Sequence, residues 1–525
     1  MLGKRSKEFI DPVDVQQLID IGVSLSAEKN TETLLSKILA GARQVTQAEA
    51  GTLYLMSDDE QELIFSFVQN EVLGLAASAC GAKLKWPSVP LYNGEGKPND
   101  TQVSAHSALA GCTVNIPDVY DAKGFNFEGT KAFDRETGYR SKSMLVVPLR
   151  NHESEVIGVL QLINARDPKS RKVAAFSGLA RRLAEALASQ AAVALTNSLL
   201  IGDLETLLDS FIQTIATAID EKSPYTGGHV RRVADLTMRI ARAVNESRNG
   251  RFASVYFSGD ELRELRMAAW LHDVGKITTP EHVVDKSTKL EKVYDRIGDI
   301  KTRFELLKRE YQLAMSEARA NKTGLSPEQV ARELQALDEE YQFLVRINTS
   351  SEFTQDEMIE RVRKIAQRKW SASAQTLPLL TEDEIYNLSI RRGTLNDEER
   401  SIINNHAAVT GKMLAKLPFP KKLRRIAEYA ASHHEKLDGS GYPKGLKGED
   451  LPLQARIIAL ADVFEALTAT DRPYKKDKTL SEALVILEQM VADHHIDPDL
   501  YDLFVNEKIY LEYAYRELAL HQIDM

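Results

Sequence analysis

The sequence predicts a multidomain chain: an α+β module with an antiparallel sheet in the first third, a long connecting helix, and an all-α remainder that carries a helical-hairpin insert. Three observations lead there. Strand-like runs separated by turn residues occur before about residue 165, and apolar residues three and four apart dominate the rest. The length of 525 residues, at roughly 150 per domain, implies two to four cores.

Taken in order, Leu18, Ile21, Leu25, Leu34, Leu35, Ile38 and Leu39 mark two short helices, broken near Glu28 to Asn30. Residues 52–56 and 63–68 flank the turn Ser57-Asp58-Asp59, and 143–149 and 156–163 flank a turn at 151–154, which predicts two antiparallel hairpins. The module, residues 1–178, is followed by a connecting helix over 179–222, ended by Pro224. Its stripe Leu204, Leu208, Phe211, Ile215 and Ile219 suits either a parallel dimer seam or the core of the next domain.

The all-α domain spans 223–525, with an insert over about 295–391. Ile297, Ile300, Phe304, Leu307 and Tyr311 mark one helix of that insert, and Val330, Leu334, Leu337, Tyr341 and Leu344 a second, antiparallel one. Ser326-Pro327-Glu328-Gln329 starts the second: serine caps, proline suits the first helical position, and glutamine completes a capping box. A further helix is expected over about 354–370.

Hydrophobic residues at 43% and charged residues at 27% belong to folded protein rather than a disordered chain. A net charge of −9 argues against a broad footprint on duplex nucleic acid, and leaves open a small anion held by a few local cations. Cys80 and Cys112 have no metal-ligand spacing and are expected as packing residues. The charged start MLGKRSKEF is unlike a signal peptide, and the uncharged stretch 186–202 contains five polar side chains and falls short of a spanning helix. A cytoplasmic location is the expectation.

Five of the eleven histidines, His229, His272, His406, His433 and His434, are concentrated in the C-terminal half. In the block Trp270-Leu271-His272-Asp273-Val274-Gly275-Lys276 an imidazole, a carboxylate and an ammonium fall within two turns, where glycine lets the chain leave a helix. Adjacent His and Asp can share one metal, and Asp can bridge to a second. His433 and His434 precede a loop rich in glycine, and Asp462 sits in an otherwise apolar helix, where a carboxylate needs a cation. His494-His495 lacks such neighbours and reads as fortuitous.

These blocks resemble the HD-GYP domains, a subgroup of the HD metal-dependent phosphohydrolases. The matching text is Gly227-Gly228-His229, HDVGK from His272, Asn405-His406, HHEKLDGSGYPKGLKGEDLPL from His433, Asp462, and DRPY from Asp471. The resemblance implies that His229, His272, Asp273, His406, His433, His434 and Asp462 ligate two metals, with Asp273 bridging. Iron is implied first and manganese next, and a nitrogen and oxygen shell also tolerates zinc or cobalt. A carboxylate that supports a third metal in some members is here Tyr225.

Such a pair of cations suits in-line hydrolysis of a phosphodiester, and Lys276, Arg472 and Lys475 are implied to meet phosphate oxygens. Tyr442 either stacks on a base or is structural. The implied substrate is cyclic di-GMP, opened to pGpG and onward to GMP. Alternatives are a slow cyclic di-GMP sensor and a phosphodiesterase for cyclic GMP-AMP. The insert is either a lid or docking arm, offering a protein-partner site together with the GYP loop, or a passive protrusion.

The first module is similar to GAF domains through Ala50-Gly51-Thr52-Leu53-Tyr54-Leu55, Asn115-Ile116-Pro117-Asp118, Thr137-Gly138-Tyr139-Arg140-Ser141 and Val156-Ile157-Gly158-Val159 on to Asn164. Of the pattern carried by cyclic-nucleotide-binding relatives, Asn164 and Phe176 remain, while Ala165, Ala180 and Arg181 replace the rest. A small-molecule ligand or pure dimerisation is implied, with regulation of the catalytic half through the connecting helix and a homodimer as the assembly.

Overall fold

Alternation of side chains along the strands decides how the first unit is layered. In the computed structural model, which describes residues 12–28, 30–78, 86–222, 227–321, 326–350, 353–372, 375–470 and 478–525, the chain divides into Met1–Leu207 and Leu208–Met525. The first unit holds β1 (Ala48–Met56), β2 (Glu62–Asn70), β3 (Leu75–Ser78), β4 (Val89–Pro90), β5 (Val114–Ile116), β6 (Met144–Arg150), β7 (Val156–Arg166) and β8 (Val173–Ala174). The sheet runs β3-β2-β1-β7-β6-β5, every neighbour antiparallel, with β4 on β2 and β8 on β7.

Leu53 pairs with Leu160, which pairs with Val147, and all three enter one core with Leu34, Leu35, Ile38 and Leu39. Those leucines belong to the helix Thr31–Thr46, which Asn30 caps by accepting the Thr33 N–H. Tyr54, Val159, Met144 and Val146 face the other side, against the helix Val103–Ala110. On that side lies a cavity of about 360 Å³ lined by Tyr54, Phe65, Trp86, Phe133, Tyr139 and Gln161 among others. Asn164 does not reach for a ligand: its amide donates to Glu49, Tyr139 and the Arg140 carbonyl, and its oxygen accepts from Lys142 N–H.

The helix Gly178–Asp220 buries Ala184, Leu187, Ala191 and Leu195 in the first core and Ile212 and Ile219 in the second unit's core. Between them Leu200, Leu204, Leu207 and Phe211 are exposed at four- and three-residue spacing. By length and composition alone this helix is long and apolar enough to cross a membrane, contrary to the reading of its uncharged stretch as too polar.

The second unit packs the helices His229–Glu246, Gly259–Leu271, Ile426–Ala431, Leu453–Thr468, Leu480–Ala492, Pro498–Asn506 and Ile509–Glu517 around one apolar core. The insert has a core of its own, with Ile300, Phe304, Leu337, Leu344, Val362 and Leu388 buried together. Its hairpin is Ile297–Asn321 and Pro327–Thr349, and the Ser326–Gln329 capping box forms as the sequence predicts.

The third helix of the insert is shorter than expected. It covers Asp356–Ala366, and β9 (Lys369–Ala372) then pairs with β10 (Gln375–Pro378), so residues read as helix to Trp370 and as strand-free form a ribbon. Trp370 and Leu377 stand opposite each other across the ribbon, an aromatic and aliphatic pair that suits strands. Buried Lys289 closes the insert's base by donating to the Thr354 hydroxyl and the Ile390 carbonyl. Cys112 is exposed rather than packed, and Cys80 lies outside the described residues.

Candidate metal centre

Each predicted histidine stands at an end or on an inner face of a helix of the second unit. His229 is the first residue of the helix His229–Glu246, His272 ends Gly259–Leu271, His406 lies within Asp397–Leu414, and Asp462 within Leu453–Thr468. His433 and His434 follow Ile426–Ala431 directly. The seven side chains converge. His229, His272 and Asp273 form one cluster and His406, His433 and His434 another, each with ligating atoms within 4.8 Å of one another.

Asp273 stands between the clusters, and its two oxygens divide the work. Oδ2 lies 3.6 Å from His229 Nε2 and 3.4 Å from His272 Nε2, whereas Oδ1 lies 3.2 Å from His406 Nε2 and 4.0 Å from His433 Nε2. Asp462 Oδ1 is 3.3 Å from His229 Nε2 and 3.9 Å from His272 Nε2, which assigns it to the first cluster. Lys276 Nζ sits 2.5 Å from Asp273 Oδ2. Tyr442 packs its ring on His434, centroids 4.8 Å apart. Arg472, Lys475 and Tyr225 lie outside the described residues.

The ring nitrogens are oriented from behind. His272, His406 and His433 each donate Nδ1–H to a carbonyl three residues earlier, of Ala269, Ile403 and Ala430, at 2.7, 2.5 and 2.7 Å. This leaves Nε2 of all three buried without a hydrogen bond, as is Asp273 Oδ1. His229 opens its helix and has no preceding helical turn to donate to. Its Nδ1 meets Glu465 Oε2 at 2.5 Å instead, and Arg232 holds the other oxygen of Glu465 at 2.6 Å.

Sequence reading passed over Glu465, although it stands three residues after Asp462 in the same apolar helix, where the same cost of a buried carboxylate signals a partner. It also passed over Glu435, which is buried and accepts the N–H groups of Lys444 and Leu446, folding the glycine-rich loop back on itself.

Charge follows burial and neighbours. Burial opposes ionisation of Asp273, yet Lys276 and the histidines His272 and His229 hold its carboxyl far below the ordinary range. Burial also lowers His433 strongly, with His434 and His272 adding to it, and brings His434 down to about 3. Both are therefore neutral imidazoles at pH 7, the form that ligates metal. At His229 burial is outweighed by Glu465, Asp273 and Asp462, which raise it well above the ordinary value.

Gly275 has a different reason from the one its place in the sequence suggests. A Cβ there would stand 2.1 Å from the His406 carbonyl oxygen, so glycine permits the Asp273 turn to touch the helix that carries His406. The Gly275 N–H donates to the Thr410 hydroxyl, which in turn donates to the His272 carbonyl.

The chain matches the GAF domain family over residues 30–195 and the HD domain family over 226–346 and again over 371–500. The two HD matches flank part of the insert and together contain all seven converging residues. Three relatives from Vibrio cholerae are similar. The 3'3'-cGAMP-specific phosphodiesterase 1 is 36% identical over 26% of this chain and 31% of its own, and the 3'3'-cGAMP-specific phosphodiesterase 3 is 38% identical over 56% and 38%. A probable cyclic di-GMP phosphodiesterase is 41% identical over 23% and 28%. The chain thus spans less than two fifths of the length of each of these relatives. By these matches the chain carries a GAF domain over residues 30–195 followed by HD-domain sequence over residues 226–346 and 371–500.

Proposed function

We propose that the second unit is a two-metal phosphodiesterase that opens a cyclic dinucleotide, cyclic di-GMP first, to linear pGpG and onward to GMP. One observation carries the reading: a single buried carboxylate, Asp273, offers one oxygen to each of two histidine clusters. The donors fit metal. Buried imidazole nitrogens with no hydrogen bond cost about 1–3 kcal/mol each, and His272, His406 and His433 have their Nε2 atoms in that condition, facing one carboxylate. Nitrogen and oxygen donors without thiolate suit iron or manganese and tolerate zinc or cobalt, and the resemblance to HD-GYP domains ranks iron first and manganese next.

His229, His272 and Asp462 would hold one cation and His406, His433 and His434 the other, with Asp273 shared. Bound there, the two cations supply Lewis acidity toward a phosphodiester oxygen and lower the pKa of an attacking water. Lys276, partly exposed beside Asp273, puts a further positive charge where a phosphate enters. Carbonyls and Glu465 behind the imidazoles fix which nitrogen faces inward.

A second reading, cyclic GMP-AMP as substrate, is supported by the similarity, over 56% of the chain, to the 3'3'-cGAMP-specific phosphodiesterase 3. Chromatography of products from metal-loaded protein, with both cyclic dinucleotides side by side, tests the proposal. Turnover that vanishes in Asp273→Ala supports it and ranks the substrates. Tight binding with no turnover in metal-loaded protein refutes it in favour of a sensor.

For the first unit we infer a small planar ligand in the cavity beside Tyr54, Phe65, Trp86 and Phe133. Among the described lining residues there is no charged side chain, which favours an uncharged molecule. The exposed Leu200, Leu204, Leu207 and Phe211 follow a four-three-four spacing, which supports pairing with a second copy along this helix.

A further inference from the structure

We propose that the end of the connecting helix positions the metal centre, through Asp220 and Lys222. The proposal rests on the two-metal reading above and adds the residues that hold its two halves in register.

The helix that begins with His229 needs a cap and has none of its own. Its N-cap is Gly228, without a side chain, and an unpaired N–H in the first turn of a helix is ordinarily met by a Ser, Thr, Asp or Asn at that position. Here Asp220 does it from upstream: its carboxylate, buried at 7% exposure, accepts the Val230 N–H at 3.2 Å. A carboxylate at this helix end is also favoured by the helix dipole.

The short turn Val274–Thr278, which follows Asp273 and contains Lys276, has the complementary need. Lys222 Nζ donates to two of its carbonyls, of Lys276 and Ile277, at 3.3 and 2.8 Å, and to that of Thr279 just after it at 2.7 Å. Asp220 and Lys222 stand two residues apart, so one short stretch of chain ties the first histidine's helix and the bridging aspartate's turn together. Both residues line the same small cavity as Asp273 and Lys276.

The arrangement goes beyond stabilising two helix ends. His229 Nε2 and Asp273 Oδ2 are 3.6 Å apart and come from the two segments that Asp220 and Lys222 clamp. A metal tolerates ligand displacements of only about 0.2 Å. Slack in either clamp therefore weakens metal binding before it unfolds anything, and a shift of the connecting helix acts on the centre directly.

The test compares the full-length chain with Asp220→Ala, Asp220→Asn and Lys222→Met. Mn2+ affinity is read by spin resonance of the free ion, and melting is followed in excess chelator. Asp220→Ala and Lys222→Met are expected to weaken at least one Mn2+ site about tenfold, while Asp220→Asn, which keeps an acceptor, stays within about twofold of the parent. Lower melting temperatures with unchanged Mn2+ affinity in both would overturn the proposal and leave ordinary capping. Absence of tight Mn2+ binding in the unaltered chain would instead overturn the two-metal reading, and this proposal with it.

Discussion

Replacing Gly275 with alanine is expected to separate the two histidine clusters. The added Cβ would lie 2.1 Å from the His406 carbonyl oxygen, 2.7 Å from Thr410 N and 2.8 Å from Thr410 Oγ1. Backbone atoms cannot swing aside as a side chain does, so the helix Asp397–Leu414 must retreat by roughly 1 Å to restore van der Waals contact. Asp273 Oδ1 and His406 Nε2 are now 3.2 Å apart, and a retreat of that size is about five times the tolerance of a metal ligand. Crowding costs about 1–3 kcal/mol, and loss of the Gly275 to Thr410 hydrogen bond adds about 1 kcal/mol. Elemental analysis after anaerobic manganese loading, together with thermal melting, reads both effects. The variant is expected to lose the metal held by His406, His433 and His434 and to melt several degrees lower. Metal content and melting temperature equal to those of the parent would refute the reasoning.

Glu465→Ala removes the acceptor behind His229 and the partner of Arg232, and is expected to weaken metal binding about 10–100-fold, with Glu465→Gln between it and the parent in a manganese titration. Leu204→Glu combined with Leu207→Glu puts charge on the exposed stripe and is expected to convert a dimer to a monomer in analytical ultracentrifugation. Burial brings Lys289 down to about 8 from its ordinary 10.5. Between those values the unfolded chain binds the proton more tightly than the folded one, so stability rises with pH across that window. The melting temperature of the parent relative to Lys289→Met should therefore climb from about pH 8 to pH 10, and a flat difference would contradict the buried ammonium.

Five of the seven converging residues were legible because their types are costly elsewhere: Asp462 within an apolar helix, the adjacent His433 and His434, and the His272-Asp273 pair all need partners, and each pattern is local in the chain. His229 and His406 stand in no such pattern and were picked out by the resemblance to HD-GYP domains. What escaped is supplied from a distance. Glu465 serves His229 from 236 residues away, and Asp220 and Lys222 act on backbone groups, which leave no pattern in side-chain types.

Gly275 was noticed, but as a helix exit. Its close approach to His406 joins segments separated by the whole insert, so no local pattern records it. In the insert, amphipathic spacing and the Ser326 cap carried the hairpin, while the ribbon Lys369–Ala372 and Gln375–Pro378 was missed. Four-residue strands are too short for alternation to outweigh a neighbouring helical stretch. In the first unit the alternating strands were readable as two hairpins, whereas the short strands β3, β4, β5 and β8, two to four residues each, were not.

Metal content of single-ligand variants tests the central claim most directly, because it asks whether Asp273 joins two separate sites. With protein prepared anaerobically and loaded with manganese, the account predicts two ions per parent chain. His272→Ala and His406→Ala should each retain one, Asp273→Ala should lose affinity at both sites, and all three should fail to open cyclic di-GMP. Two tightly held ions in both histidine variants, or a parent chain that holds only one, would contradict it.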